Sequence, residues 1–303
     1  MSLRILVIYY SQTGQLKEIL VSLLQPIASS PGSHIIYKEI IPIPPYPFPW
    51  SSDAFFQAMP ESVMGIPCEI APLNIDSTNY DLVILGYQPW YLSPSIPIHA
   101  FLQSAEAKTS LQNKPVITVT GCRNMWAMAY DNIQTYLRKA GAKHIGHIAL
   151  SDKHNNLVSV FTIIRWLIKG IKTGTTLLPP AGVSKQDIEN TVKFGEIILR
   201  EFQTNEGVDL QPNLFKAGAV EINPVLIKVE KTAKKIFEKW APFILKKGKA
   251  GDIKRLGRVR LFKYYLITVI YLVSPIASLF IRILHLFNPS SKHRIIQTYR
   301  ATR

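Results

Sequence analysis

The chain of 303 residues contains little cysteine, and its two cysteines, Cys68 and Cys122, lie far apart in the sequence. Neither belongs to a Cys-x-x-Cys pair or to a Cys/His pattern with the spacing of zinc ligands, so no disulfide framework and no metal site is expected. The start also lacks the basic segment and cleavage site of a signal peptide, because residues 1–8 lead directly into an apolar strand pattern. This start predicts a cytoplasmic protein.

Charged residues are scarce at 18%, whereas hydrophobic residues make up 47% of the chain. This composition excludes a disordered polar chain, a collagen-like chain and a multi-helix membrane protein. The length is sufficient for one large domain, or for one domain with an appended module, to bury a sizeable core.

Acidic residues are almost absent from the last third of the chain. Residues 1–210 contain 16 basic and 16 acidic side chains, whereas residues 211–303 contain 19 basic and 4 acidic ones. The net charge of +15 therefore arises entirely after residue 210. We expect a neutral domain over residues 1–210, with a helical insert at about 152–183, and a basic helical extension over 211–303.

Apolar runs alternate with helical patterns in the first 210 residues. The predicted strands cover residues 3–10, 35–41, 82–86, 116–120 and 145–150, and the predicted helices cover 16–24, 96–104, 126–139, 158–171 and 185–202. Such alternation predicts right-handed crossovers and a doubly wound, five-stranded parallel sheet of the α/β class. Ligands of such sheets bind at the carboxyl ends of the strands.

The most specific motif follows the first predicted strand and opens the first helix. It consists of Ser11, Gln12, Thr13, Gly14, Gln15 and Leu16. Hydroxyl and backbone N–H groups at the positive end of a helix form a site for a phosphate group. The alternative is that the hydroxyl groups only cap the helix. Neither a GxGxxG dinucleotide motif nor a Walker lysine is present.

Two further loops follow predicted strands and should lie at the same sheet edge. The first contains Gln88, Pro89, Trp90, Tyr91 and Leu92, and the second contains Thr120, Gly121, Cys122, Arg123 and Asn124. Aromatic faces and loop amides together suit a flat ring system. The alternative is that Trp90 and Trp126 are ordinary core or helix-cap aromatics.

These three loops resemble those of the flavodoxin-like superfamily. The resemblance implies that residues 11–16 bind the phosphate of FMN and that the two later loops flank its isoalloxazine ring. One departure is Leu16, since flavodoxins usually have a second hydroxyl residue at this position.

The opening ILVIYYSQTGQLKEIL, together with the long basic extension, resembles more narrowly the flavodoxin-like dialkylresorcinol condensing enzyme family of bacterial dialkylresorcinol and flexirubin biosynthesis. The resemblance implies a role in forming a dialkylated aromatic ring from two fatty-acyl-derived chains, with a ketosynthase and an acyl carrier protein as possible partners. Joined with flavin chemistry, it predicts oxidative aromatisation of a long-chain dialkylcyclohexane-1,3-dione. If the family name is literal, the reaction is instead condensation or cyclisation.

For this reaction Tyr91, His99 and Tyr130 are the candidate catalytic proton acceptors, and Cys122 and Arg123 are available to polarise a ring oxygen. Three alternatives remain open. One is a membrane-associated NAD(P)H:quinone oxidoreductase and another is a flavodoxin-like electron carrier, although such carriers are short and acidic. The last keeps the fold without flavin, as an assembly partner of a ketosynthase.

The extension combines basic clusters with apolar helical stripes. Residues 264–281 carry no formal charge, and a polar stripe crosses them at Thr268, Tyr271, Ser274, Ser278, Arg282 and His285. A cluster precedes them, formed by Lys246, Lys247, Lys249, Lys254, Arg255, Arg258, Arg260 and Lys263. With Pro275 interrupting the segment, the pattern predicts an in-plane helix on the anionic inner face of the cell membrane rather than a span or a nucleic-acid site. A buried helix or a homo-oligomer interface is the alternative.

Overall fold

The computed structural model describes residues 3–76, 80–204 and 210–302. Its strands are β1 (Arg4–Tyr9), β2 (His34–Glu39), β3 (Pro42–Ile43), β4 (Glu69–Ile70), β5 (Leu82–Tyr87), β6 (Pro89–Trp90), β7 (Ser93–Pro94), β8 (Pro115–Cys122) and β9 (Lys143–Ser151). The five longer strands pair in parallel in the order β2-β1-β5-β8-β9. This is the strand order of the flavodoxin-like fold, and the predicted fold class is confirmed.

The continuous apolar runs are explained by a sheet that is covered on both faces. In β1, Ile5 and Val7 pack into one core with helices α1 (Gln15–Ala28) and α9 (Val192–Gln203), whereas Leu6 and Ile8 pack into the core on the opposite face. Strand β2 lies at the sheet edge and is correspondingly more exposed.

The first 210 residues contain seven further helices within the described ranges. They are α2 (Ser52–Gln57), α3 (Met59–Met64), α4 (Ile96–Leu102), α5 (Ala105–Leu111), α6 (Ala127–Lys139), α7 (Asn156–Lys169) and α8 (Lys185–Glu189). The predicted closing helix at 185–202 is divided into α8 and α9, with a short break at residues 190–191. The predicted insert helix at 158–171 is α7.

The last third contains α10 (Gln211–Lys216), α11 (Pro224–Leu245), α12 (Leu256–Thr268), α13 (Ser274–Phe287) and α14 (Pro289–Arg300). A 3₁₀ turn (Ile253–Arg255) precedes α12, and a π-helical turn (Val269–Val273) joins α12 to α13. Together they form one helix of 35 residues, Ile253–Phe287, that is long and apolar enough to cross a membrane by length and composition alone. The interruption expected at Pro275 is therefore a π turn rather than a break, since a widened turn accommodates a residue that lacks an N–H donor.

The last third packs on the sheet domain. The N–H of Ala149 in β9 donates to the carbonyl of Ala219, and Ile227, Ile295 and Tyr299 lie in the core beside β1. At the far end of the chain, the Tyr299 hydroxyl donates to the Asp131 carboxylate at 2.8 Å. The extension is thus held to the domain along its length, while the predicted division at residue 210 stays a prediction.

Candidate functional site

A cavity of about 310 Å³ lies at the carboxyl ends of β1, β5 and β8. Residues from all three predicted loops line it, namely Gln12, Thr13, Gln15, Leu16, Gln88, Pro89, Trp90, Tyr91, Leu92, Gly121, Cys122 and Arg123. The structure therefore brings together most of the predicted binding residues. Of the others, Ser11 and Gly14 lie in the turn itself, Thr120 is buried in β8, and Asn124 lines a neighbouring cavity.

The turn before α1 is open towards solvent at its glycine. Gly14 has a φ of +81°, and a Cβ placed there would meet no heavy atom of the described residues within 4 Å. The N–H of Lys17 donates to the Ser11 hydroxyl at 3.4 Å, so Ser11 partly caps the helix, as the alternative of simple helix capping predicts. Because Gly14 is the N-cap and supplies no capping side chain, the start of α1 can still receive an anion.

Three residues of the turn have structural contacts of their own. The backbone N–H of Gln12 donates to the Gln88 side chain at 2.9 Å, which ties the turn to the next loop, and its side-chain amide donates to the Pro47 carbonyl at 2.8 Å. The Gln15 side chain makes a pair of hydrogen bonds with the backbone of Val183, both at 3.0 Å. Leu16 is 1% exposed and belongs to the core. A phosphate at this turn would therefore be held by Thr13, Ser11 and backbone N–H groups.

The second loop is a tight β-hairpin formed by β6 and β7. Its two central residues, Tyr91 and Leu92, have φ values of +49° and +60°, which two-residue hairpins of the type I′ class require. The Ser62 hydroxyl of α3 donates to the carbonyls of Trp90 and Pro94 at 2.8 and 3.0 Å. The hairpin is thus fixed by α3, while Trp90 and Tyr91 line the cavity.

Trp90 is held by other aromatic rings. Its ring lies 5.8 Å from Tyr10, 5.2 Å from Tyr46 and 5.3 Å from Trp50, in edge-to-face contacts. Trp50, which directly follows the proline-rich residues 42–49, also lines the cavity. Such edge-to-face packing limits the rotation of each ring.

The third loop is shaped by close packing and by burial. A Cβ at Gly121 would lie 2.6 Å from Cδ1 of Ile19, so the backbone here approaches α1 more closely than another residue would allow. Burial raises the pKa of the Cys122 thiol, which keeps it protonated. The Arg123 guanidinium donates to the carbonyl and side-chain oxygens of Asn156 at 3.3 and 2.5 Å.

Arg123 carries a positive charge into largely apolar surroundings, and burial lowers its pKa. Among the residues that the structure describes, no carboxylate lies within ion-pair distance of this guanidinium. The carboxylates of Glu230 and Asp152 act on it only from a longer distance. An anionic or strongly polarised ligand oxygen in direct contact would stabilise the charge further.

The three candidate proton acceptors lie in different surroundings. Tyr91 lines the cavity, but its hydroxyl donates to the Phe55 carbonyl at 2.7 Å and burial raises its pKa. His99 is 2% exposed between the Ser62 carbonyl and the Tyr136 hydroxyl, and burial lowers its pKa to about 4. The ring of Tyr130 is stacked on His147, with 3.8 Å between centroids. The cavity lining includes neither His99 nor Tyr130, because their helices direct them into the core.

Sequence patterns did not predict the remaining walls of the cavity. Helix α7 supplies Asn156, Val160, Ile163, Trp166 and Leu167, α11 supplies Val229, Ala233, Ile236 and Phe237, and the long helix supplies Tyr265, Leu266, Val269, Ile270 and Ser274. Val229, Ala233 and Ile236 recur at helical spacing in the sequence, which predicts a covered helix face but not the surface that covers it. The last third is therefore one side of the site.

A second cavity of about 460 Å³ adjoins the first and shares Asn156 and Ser274 with it. Its lining is more polar and includes Asn124, Asp152, His154 and Glu230. The buried Asp152 carboxylate accepts from the backbone N–H of His154 at 2.9 Å and lies 2.6 Å from Nδ1 of the same residue. This cavity extends the site towards the end of β9.

No protein-family model matches the chain. No curated protein matches it. Among solved structures, a flavoprotein in complex with FMN from Lactobacillus acidophilus NCFM is 20% identical, with 48% of this chain and 92% of that chain covered and a TM-score of 0.37. A flavodoxin from the domain Archaea is 11% identical, covering 66% and 99%, with a TM-score of 0.37. Oxidised flavodoxin 1 from Bacillus cereus is 16% identical, covering 64% and 95%, with a TM-score of 0.34.

Similarities this low leave the fold assignment to the strand order of the sheet. That order, with the site at the carboxyl ends of the strands, gives the chain the flavodoxin-like fold.

Proposed function

We propose that this protein is an FMN-dependent oxidoreductase that acts on a lipophilic ring. The observation that carries the proposal is a single cavity bordered by an open helix N-terminus, an aromatic hairpin and an apolar roof. We use the term apolar roof for the apolar residues that α7, α11 and the long helix contribute to the cavity. More narrowly, we propose oxidative aromatisation of a dialkylcyclohexane-1,3-dione to a dialkylresorcinol, with a ketosynthase and an acyl carrier protein supplying the precursor.

The residues present fit FMN. The open turn at Gly14 with the Thr13 hydroxyl suits the phosphate, and the hairpin at Trp90 and the loop at Gly121 border a space for a flat ring. When bound, FMN supplies the acceptor for the hydride that leaves the substrate ring.

The side chains of the cavity would orient the substrate and exclude water. Aromatisation of the dione removes one hydride and one proton, after which the ring tautomerises to the resorcinol. Arg123 is suited to hold the ring oxygen that gains negative charge as the proton leaves. The apolar side chains of α7, α11 and the long helix suit the alkyl substituents.

The test is an anaerobic incubation of the FMN-loaded protein with the dione. We expect loss of flavin absorbance and formation of one resorcinol per flavin, and a slower reaction in Arg123→Met. Protein that stays colourless after reconstitution with FMN would contradict the flavin assignment. Flavin that binds but is not bleached would contradict the substrate assignment.

A quinone reductase is the second candidate, because the same aromatic hairpin and apolar roof suit a quinone. It requires that NAD(P)H alone reduce the bound flavin quickly. Rapid bleaching by NAD(P)H, with turnover of a lipophilic quinone and none of the dione, would favour this function.

We also propose that the protein associates with an anionic membrane through the outer face of the long helix. Large apolar side chains are exposed on it, including Leu272, Ile276, Leu279, Phe280, Leu286 and Phe287. Part of the predicted polar stripe faces the domain, since Ser274 and Ser278 line the second cavity and His285 is buried. Its other members, Thr268, Tyr271 and Arg282, are exposed. An outward apolar face of this kind suits the interface of a bilayer.

Much of the predicted basic cluster is exposed, but Arg255 is not. Lys246, Lys247, Lys249 and Lys254 are exposed, and each would contribute about 1 kcal/mol near an anionic leaflet. Arg255 is instead fully buried and ion-paired with Glu61 at 2.6 Å. Because Phe262 and Tyr299, on either side of the apolar segment, are buried in the domain, an in-plane position suits the helix better than a span.

The membrane proposal is tested on the full chain, because core residues such as Leu214 and Ile227 lie beyond residue 210 and truncation would expose the core. We expect the wild type to sediment with anionic vesicles and the double variant Ile276→Glu/Phe280→Glu to remain in solution with an unchanged melting temperature. Equal sedimentation of both proteins would contradict the proposal.

A further inference from the structure

Helix α11 carries two ionisable side chains, Glu230 and Lys234, one helical turn apart and turned towards the domain. Glu230 is 1% exposed, and Lys234 is partly buried. Most of the other charged residues of this helix, such as Lys235 and Glu238, are exposed. Burial of a charged group is costly unless it makes specific hydrogen bonds, so each of these side chains needs a partner.

The partner of Glu230 is the first turn of α6, which directly follows the loop after β8. Its Oε2 accepts the backbone N–H of Met128 at 3.0 Å, in the first turn of α6. The N-cap residue of α6, Trp126, supplies no side-chain cap. Glu230 therefore takes the place of a capping residue, and does so from a different part of the chain.

The partner of Lys234 is the aromatic hairpin. Its Nζ donates to the hydroxyl of Ser93, a fully buried residue of β7, and lies 3.5 Å from the Val63 carbonyl. Lys234 thus contacts the hairpin in β7, whereas the backbone N–H of Gln12 is bonded to Gln88, directly before β6.

The two side chains do not neutralise each other. Among the described residues, neither takes part in a salt bridge, so each directs its polar atoms at a loop. The apolar residues around them on the same helix, Val229, Ala233 and Phe237, line the cavity. One helix face therefore contacts both loops and the space between them.

We propose that Glu230 and Lys234 are positioning residues that hold the two ring-binding loops at a fixed separation, so that the extension sets the geometry of the site. The consequence for bound flavin rests on the proposed function. We call the contacts of Glu230 and Lys234 with the two loops the clamp. The clamp is argued only from contacts within this chain, so it can be tested separately from flavin binding.

The first experiment is amide hydrogen exchange on the full-length protein without cofactor. Because the Met128 N–H lies in the first turn of α6, its protection depends on Glu230. We expect Glu230→Ala to speed exchange at Met128 by about tenfold or more, and Lys234→Met to do the same for the hairpin amides. Glu230→Gln keeps an acceptor oxygen and should retain the protection of Met128.

Matched controls lie on the exposed face of the same helix. Lys235→Met and Glu238→Ala make the same chemical changes as Lys234→Met and Glu230→Ala and should leave exchange in both loops unaltered. If Lys234→Met does not fold, Ser93→Ala removes the partner of Lys234 from the hairpin side and should produce the expected effect on the hairpin amides. Unchanged exchange in the loops of folded clamp variants would overturn the proposal.

The second experiment measures the visible circular dichroism and midpoint potential of the FMN-loaded variants. We expect both to change in Glu230→Ala and Lys234→Met and to match the wild type in the two controls. Unchanged spectra and potentials with flavin bound would overturn the role in the ring site. A wild type that binds no FMN would remove the proposed function, while hydrogen exchange would still decide whether the clamp exists.

Discussion

The first 210 residues and the last 93 differ in how they use charge. The sheet domain has balanced charge and a core of apolar strands, and its polar groups at the site are mostly backbone atoms, hydroxyls and amides. The extension is strongly basic, yet three of its ionisable residues, Glu230, Lys234 and Arg255, point inward and bind the domain. The difference teaches that the extension is attached by specific polar contacts as well as by apolar packing.

The largest effect is expected where the extension is joined to the domain by a buried ion pair. Arg255→Met leaves the Glu61 carboxylate buried without its partner, so the free energy of unfolding should fall by about 3–5 kcal/mol. Urea denaturation of the full chain measures this. Arg260→Met removes an exposed ion pair with Asp53 and should leave the urea midpoint unchanged. Similar losses in both variants would mean that the extension is not specifically docked.

An intermediate effect is expected at the phosphate turn, which belongs to the domain alone. Thr13→Val should weaken FMN binding by about tenfold or more, because a hydrogen bond to a charged phosphate is lost. Fluorescence titration of FMN gives the dissociation constant. Thr135→Val, on an exposed face of α6, is the matched control and should bind FMN like the wild type. Equal affinities for the two variants would place the phosphate elsewhere.

The last effect concerns the pH dependence of stability at the contact between the two regions. Burial raises the pKa of Glu230 from 4.5 to about 8, so the folded protein keeps a proton that the unfolded chain loses. Stability should therefore fall as the pH rises between these values, by at most about 1.4 kcal/mol per pH unit.

Glu230→Gln removes this contribution. The difference in melting temperature between wild type and Glu230→Gln should shift against the wild type as the pH is raised from about 5 to about 8. Glu238→Gln should follow the wild type throughout. Parallel curves for wild type and Glu230→Gln would show that the carboxyl group is already ionised in the folded protein at low pH.

Much of the sheet domain follows from local patterns in the sequence. Continuous apolar runs identified the five strands because both faces of the sheet are covered, and the strand ends placed the turn at Gly14 and the loops at Trp90 and Gly121 on one edge. The helix break between Glu189 and Val192 was missed, since the apolar spacing continues through it.

The contacts of the extension could not be predicted in the same way. A helical stripe such as Val229 and Ala233 indicates that a face is covered, but not by what. Arg255 within a basic cluster, and Glu230 on a basic helix, have the pattern of solvent-exposed residues, and only tertiary packing buries them. His99 was chosen by residue type alone, and its partners, the Ser62 carbonyl and the Tyr136 hydroxyl, lie 37 positions away in the sequence.

The π turn forms part of the wall between the cavity and the outer surface of the long helix. Val269 and Ile270 border the interior, while Leu272 and Val273 of the same five residues are 65% and 50% exposed. A lipophilic molecule crossing the wall at this turn would pass among aliphatic side chains. The rates at which such a molecule enters and leaves would then depend on how readily the π turn changes conformation. They would also depend on whether its outer surface contacts water or lipid.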